Sequence, residues 1–388
     1  MTDSSNYAYQ DEIFKVSAKR FARSPWLASY ITDETVLGVY SGRFYALTMG
    51  ADPIESYWQL RRRAVLFDVP EHPIEIVGAD ALTFLNQLFC RDVSRLRVGR
   101  ASYAIACNHD GGILMDGVLL RLDEQRFWYV LANGEFLTWL EAHRVGYEVA
   151  VTDPHSWVLQ IQGPRSLEIL PEIVDGAAPQ PFNYFSVAEC QVAGEPFLIS
   201  RTGWTGEMGF EIYSLNPRVD GEKVFRHIMQ RGRAAGLSHA ALDSMGIRRI
   251  EAGIMDNSSD MDSSMTPFAA GLGRFVDLDK SDYIGKEALE RVDQRSAFFG
   301  ITSSPQTPVG RHAVLFKGQE VGKVTIAARS PYLNRFIGYV RFFEPGDWEG
   351  SEVTLRTNDG SMHCANINLL PFYDAEKRIP RGLANELP

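Results

Sequence analysis

An α+β fold is predicted, because stretches of helical and of strand periodicity alternate up to about residue 295, and short strands with turns take over beyond it. Size is the third indication. With 388 residues, 45% hydrophobic and 23% charged, the chain has enough apolar surface for two or three domains.

The first helical spacing is Ile13, Phe14, Val16 and Phe21, between Asp11 and Arg23, and Ser24-Pro25 ends it. Val36, Leu37, Val39 and Tyr40, the turn Ser41-Gly42 and the run Arg43 to Leu47 predict a hairpin. A helix is expected over Pro53 to Leu66 and a strand at Ile74-Glu75-Ile76. A second helix is expected over Ala79 to Phe89, where Leu82, Phe84, Leu85 and Leu88 largely share a face. Strands are expected at Tyr103 to Ile105, Ile113 to Leu122 and Phe127 to Ala132, the first two joined by a turn through Asn108 to Gly112 whose paired glycines permit tight bending. Leu137 to Arg144 reads as helix, and Val158 to Ile161, Phe197 to Ser200 and Phe210 to Tyr213 as strands. Val224 to Gly236 and Ala240 to Gly253 read as helices, Gly271 to Val276 as extended chain, and Asp282 to Arg291 as a short helix. The tail strands are Val314 to Phe316, Val321 to Ile326, Ile337 to Phe342 and Val353 to Arg356.

Thirty-nine Lys plus Arg against 49 Asp plus Glu give a net charge of -10, which disfavours a nucleic-acid partner. The first residues carry no apolar signal-peptide core, and no window approaches the ~18 apolar residues of a spanning helix, so a cytoplasmic protein without a membrane partner is expected. Cys90, Cys107, Cys190 and Cys364 are far apart and read as reduced, mostly buried thiols. No metal is expected, since His109 beside Cys107 has no further ligands at suitable spacing. The loop acids Asp256, Asp260 and Asp262 lack the glycine and terminal Glu of a calcium loop and read as solvated.

Two motifs carry candidate chemistry. In NHDGGILMD (108 to 116), Asp116 stands on an otherwise uncharged strand, where a carboxylate must be paired, hydrogen-bonded or functional. The alternative is an Asp on a partly exposed strand bonded to a backbone amide. In RTGWTGEMGFEIY (201 to 213), three glycines admit a ligand close to the backbone, Trp204 and Phe210 supply flat apolar surface, and Glu207 and Glu211 supply acceptors. Carboxylates of this kind suit a fused ring that bears paired N–H donors, such as a pterin; the alternative is a hairpin loop with a packed Trp. Aromatic residues near the expected loops, Phe21, Trp26, Tyr30, Tyr184, Phe185, Trp204, Tyr213 and Tyr332, are candidates for contact with a sulfonium or quaternary ammonium cation, or are simply core. Hydrolase, zinc-protease and P-loop motifs are absent from the sequence.

Taken in order, FDVPEH (67 to 72), GRASYAIACNHDGGILMDG (99 to 117), IQGP (161 to 164), SRTGWTGEMGFEIY (200 to 213), RRIEAGI (248 to 254), TPFAAGLGRFV (266 to 276) and DYIGKEAL (282 to 289) resemble the aminomethyltransferase family of the glycine-cleavage T-protein. The resemblance implies a three-domain cloverleaf around a central channel for tetrahydrofolate. Expected domains are 1–60 with 155–240, 61–154 with 241–285, and a β-barrel-like 286–388. It also implies that Tyr103, Asn108, Asp116, Trp204, Glu207 and Glu211 contact tetrahydrofolate, with Asp116 catalytic near the reactive nitrogen and Glu211 holding the pterin.

Departures bear on the substrate. T-proteins usually carry two acids after GGI, whereas Met115-Asp116 leaves one here. They read SHM where this chain has Pro70-Glu71-His72, and an Arg where Met245 or its neighbours stand, all of which argues against an aminomethyl-lipoyl donor. ARSPWLASY (22 to 30), FCRDVSRLRVGR (89 to 100), DNSSDMDSSMTPF (256 to 268) and ARSPYLNRFIGYVRF (328 to 342) resemble the dimethylsulfoniopropionate demethylase branch, although Glu207 keeps the T-protein form of its turn. The expected activity is transfer of a methyl group from a small charged donor, a sulfonium or methylated ammonium, to N5 of tetrahydrofolate, with Trp26, Tyr30, Trp204 and Tyr213 facing the donor. The alternatives are an aminomethyltransferase, an O-demethylase using His72 or His109 as acid, and a non-catalytic folate-binding protein. A homodimer is left open.

Overall fold

The computed structural model describes residues 17–131, 134–306 and 310–384. Three large sheets organise them, beside a two-stranded hairpin. The first has six strands in the order Val187–Val192, Glu195–Ser200, Gly209–Ser214, Val158–Gln162, Ala64–Val69 and Leu237–His239, antiparallel except for the last pair. The second has five, in the order Arg100–Cys107, Ile113–Arg121, Arg126–Leu131, His72–Val77 and Ala150–Thr152. The third is a closed six-stranded barrel over residues 298–368, and closure removes the unpaired edges on which an open sheet would aggregate.

The expected helix over Asp11 to Arg23 lies mostly outside the described residues; its described end holds the single turn Ala18–Arg20. The hairpin forms as Val36–Tyr40 and Arg43–Thr48. The helix expected to reach Leu66 spans Pro53–Arg62 only. It starts on Asp52, whose carboxylate accepts from the Ile54 amide at 2.9 Å. It ends early because Ala64–Val69 is an unbroken apolar run apart from Asp68, buried at every position, as a central strand covered on both faces must be. That strand was expected with the second unit, yet it lies in the first sheet between Val158–Gln162 and Leu237–His239. Gly271 to Val276 is not extended: Gly271 at φ +72° reverses the chain and Gly273–Phe275 forms a helical turn.

Each sheet has its own apolar core, built on Trp26, Phe197 and Phe210 in the first, Phe84, Phe127 and Tyr129 in the second, and Phe299, Val340 and Leu355 in the barrel. The helix Leu242–Glu251 packs on the helix Pro53–Arg62 and on the barrel strand Gln319–Ser330. No helix among the described residues is long and apolar enough to cross a membrane. All four cysteines are free; Cys90 and Cys107 are buried, whereas Cys190 is half-buried and Cys364 exposed.

Candidate functional site

Strand register assembles the first half of the site. Ile105 pairs with Asp116 across the antiparallel strands, so Tyr103, two residues back, shares the Asp116 face on the diagonal. Its hydroxyl donates to Asp116 Oδ2 at 2.7 Å, and Asn257 Nδ2 donates to Oδ1 at 3.1 Å. No cation pairs with Asp116 among the described residues, and burial holds it above the usual carboxylate range against the pull of those two bonds.

Glu211 is built the same way on the first sheet. Gln160 lies opposite it in register and donates to Oε1 at 3.0 Å, Tyr213 two residues on shares its face and donates to Oε2 at 2.6 Å, and Thr202 also donates to Oε2. Burial raises the Glu211 carboxyl, and the hydroxyls of Thr202 and Tyr213 oppose the rise. Gln160 donates in addition to Glu71 at 2.7 Å, and Glu71, whose Oε2 has no partner, is raised well above the carboxylate range by burial and by the neighbouring Glu211.

Both halves face one cavity of about 510 Å³, lined among others by Tyr103, Asp116, Tyr184, Trp204, Glu211 and Asn257, with the cations Arg91, Arg274 and Lys377 also on its wall. That size falls within the ~300–1,000 Å³ of small-molecule sites. A second cavity of about 270 Å³ shares Glu71, Trp204 and Asp256 with it and is lined further by Tyr40, Tyr45 and Met245. Tyr40 donates to Asp256 at 2.9 Å, and Arg249 stacks 4.8 Å from the centre of the Trp204 ring.

The other expected site residues are placed elsewhere. Trp26 is fully buried in the first core, 6.4 Å from the Phe197 ring, and lines neither cavity. Tyr30 packs on Phe225 and His239 and spends its hydroxyl on Asp68 at 2.7 Å; Tyr213 is fully buried and serves Glu211. The donor-facing position expected of these three is therefore corrected, since apolar burial and intramolecular bonds consume them. Asn108 stays in its turn, accepting from Asp110 and Gly112 at 3.0 and 2.8 Å, and Asn257 makes the amide contact to Asp116 instead. Glu207 is buried in an ion-pair knot, its Oε1 2.7 Å from Arg248 and 3.2 Å from Arg61, and it lines neither cavity. Gly203 makes room for protein as much as for ligand, because a Cβ there would sit 2.1 Å from Gln162. His72 pairs with Asp153 at 2.8 Å and His109 packs near Trp139 and His143; neither lines either cavity.

The acids of the 256–262 loop are not simply solvated. Asp260 is buried on Arg249 at 2.7 Å, Asp256 lines both cavities, and Asn257 lines the larger one. These two residues, with Glu71, Gln160, Tyr40 and Tyr45, are the lining and supporting residues that sequence reasoning missed. The available signals were the PEH departure at 70 to 72 and the polar DNSSD run.

A cavity with buried acids on facing sheets and cations on its wall defines a binding protein for a polar ring with an anionic end. Residues 34–280 match the GCVT N-terminal domain family and residues 296–374 the glycine cleavage T-protein C-terminal barrel domain. Over 342 residues the chain is 34% identical to an aminomethyltransferase of Streptomyces avermitilis, covering 83% of this chain and 90% of that one. Over 365 residues it is 31% identical to the trimethylamine-oxide aldolase of Ruegeria pomeroyi, covering 88% of this chain but 46% of that one, so it spans about half the length of that relative. Its fold matches the glycine cleavage system aminomethyltransferase T from Bartonella henselae with a TM-score of 0.81 at 24% identity, over 91% and 98% of the two chains. The chain belongs to the glycine-cleavage T-protein family. It is a one-carbon transferase of that family, and its cofactor is tetrahydrofolate. The residues present suit that cofactor: Glu211 and Asp116 offer acceptors to ring N–H groups, Tyr103 and Trp204 offer apolar faces, and Arg91, Arg274 and Lys377 offer charge to carboxylates.

Proposed function

We propose that the protein transfers a methyl group from a small cationic donor, a sulfonium or a methylated ammonium, to tetrahydrofolate, giving 5-methyltetrahydrofolate. The observation that carries this reading is the pair of cavities with a common wall at Glu71, Trp204 and Asp256. The smaller one presents the rings of Tyr40, Tyr45 and Trp204 together with the Asp256 carboxylate, with Arg249 and Arg311 also on its wall, and each ring in contact with a bound cation would contribute ~0.5–2 kcal/mol.

Bound tetrahydrofolate supplies the nucleophilic nitrogen. Glu211 orients the ring by accepting from it, held in place by Gln160, Thr202 and Tyr213. Asp116, aimed by Tyr103 and Asn257, stabilises positive charge that develops beside it, acting electrostatically and without a covalent bond. Because a sulfonium or ammonium leaves as a neutral group, no acid has to protonate it. Alignment and exclusion of water then supply most of the rate, and positioning alone is worth up to ~7–11 kcal/mol.

The 34% identity with the Streptomyces relative favours a second reading, an aminomethyl donor. The name of the Ruegeria relative adds a methylated amine oxide to the donors worth trying. Incubation with tetrahydrofolate and a panel of sulfonium, ammonium, amine-oxide, methoxyl and aminomethyl donors, with mass analysis of the folate, separates the readings. Accumulation of 5-methyltetrahydrofolate from a cationic donor supports the first; 5,10-methylenetetrahydrofolate formed from the aminomethyl donor, with no 5-methyltetrahydrofolate from any cationic one, overturns it in favour of the second.

A further inference from the structure

The chain passes from the first sheet to the second between Val69 and His72, so Pro70 and Glu71 sit where one sheet hands over to the other. This places Glu71 on the common wall of the two cavities, with Trp204 and Asp256. Arg43 fixes its backbone by donating to the Glu71 carbonyl at 2.7 Å, and Gln160 fixes its side chain by donating to Oε1 at 2.7 Å. The other carboxyl oxygen, Oε2, is buried without a hydrogen-bond partner. A carboxyl group withdrawn from water with neither donor nor counter-ion at one oxygen costs free energy, and a cation nearby offsets that cost.

Three acids line the smaller cavity, and the protein answers them unequally. Asp243 stands in the first turn of the helix Leu242–Glu251, where it accepts from the Ser244 amide at 2.7 Å and the helix dipole favours its charge. Asp256 accepts from Tyr40 and Ser259, and the charge of Arg249 opposes the rise that burial causes. Glu71 meets one neutral amide, no cation pairs with it among the described residues, and burial with the charge of Glu211 holds it well above the carboxylate range. The cations on the same wall are engaged elsewhere or screened: Arg249 is spent on Asp260 at 2.7 Å and on the Trp204 ring, and Arg311 is exposed to solvent and salt.

We infer that Glu71 is the residue that selects a cationic donor, its carboxylate supplying the negative charge beside the onium centre while the rings of Tyr40, Tyr45 and Trp204 enclose the methyl groups. This rests on the assignment of the smaller cavity to such a donor. A sulfonium or quaternary ammonium has no N–H to give, so it is recognised by charge close at hand in a site of low dielectric rather than by a hydrogen bond. Its charge favours the ionised form of Glu71, and a neutral donor of the same shape has none to offer. Asp243 lies on the smaller cavity alone, whereas Glu71 and Trp204 border both, so a cation held between those two lies against the folate side of its site.

Calorimetric titration of the full chain, saturated with tetrahydrofolate, with choline and with its neutral carbon isostere 3,3-dimethylbutan-1-ol tests the assignment. The unmodified chain is expected to bind the cation about tenfold more tightly. Glu71→Gln keeps the shape of the side chain and removes its charge, so the preference should fall to about twofold or less while affinity for the neutral isostere holds. Glu71→Asp, which keeps the charge, and Asp243→Asn should both retain the preference, and Asp256→Asn should lower it less than Glu71→Gln does. A preference that survives Glu71→Gln, a loss of both probes alike, or a larger loss in Asp256→Asn overturns the role of Glu71 alone. No preference for the cation in the unmodified chain overturns the cationic-donor assignment with it.

Discussion

Glu207 and Glu211 stand four residues apart in the same glycine-rich motif, and the fold gives them different partners. Glu207 is caught between Arg248 and Arg61, and the knot extends to Glu251, which accepts from Tyr57, Tyr373 and Ser330. Glu211 meets only neutral donors and faces the cavity. A buried carboxylate satisfied by cations has little to give a ligand and holds segments together. One that meets only hydroxyls and an amide and lines a cavity has its charge uncompensated and its pKa raised, and can take a ligand's donors. Asp260 on Arg249 belongs with the first kind, and Asp116 with the second.

The largest effect expected from this contrast is on stability. Arg248→Ala leaves Glu207 and Glu251 buried with one cation fewer, and should cost ~3–5 kcal/mol in chemical denaturation. A loss below about 1 kcal/mol would remove the distinction between the two kinds of acid. Next in size is Asp116→Asn, for which turnover should fall roughly 10²–10³-fold while calorimetric affinity for tetrahydrofolate changes far less. An unchanged rate would take Asp116 out of the chemistry.

Glu211→Gln sets an amide N–H against the donors Thr202 and Tyr213, so folate affinity should fall by roughly 10–100-fold. Its unfolding midpoint should move less than that of Arg248→Ala; the reverse ranking would make Glu211 structural.

The smallest effect is a slope. Burial raises Asp68 to about 7 against the hydrogen bonds of Ser24 and Tyr30 and the charge of Arg43. Because the folded state then holds a proton that the unfolded chain releases near pH 4, this group stabilises most below that value, and its contribution is lost as pH rises toward about 7. Asp68→Asn should flatten that part of a stability-against-pH curve; an unaltered slope would assign it to other groups.

Strand positions and turns were legible wherever pattern and chemistry agreed. The hairpin at 36 to 48, the Asp116 strand and the Glu211 strand could be read because alternation and glycine turns are local properties. The expected helix runs on to Leu66 and so takes in the first half of the strand Ala64–Val69, since a short run buried on both faces has no period to betray it. Tyr30, Trp26 and Tyr213 looked like ligand rings for a related reason: an aromatic residue reads the same whether it faces a cavity or a core.

The sequence by itself carried, through the order of its motifs, the resemblance to the family and the folate cofactor that resemblance implies, and, through local pattern, the two strands of Asp116 and Glu211, because these follow from residue identity and short-range spacing. Which acids are free to act was decided only in three dimensions. Arg61 reaches Glu207 from a helix 146 residues earlier in the chain, and Asn257 reaches Asp116 across 141 residues. A carboxylate's role depends on the charge and exposure of whatever packs against it, and one-dimensional spacing holds no record of such distant partners.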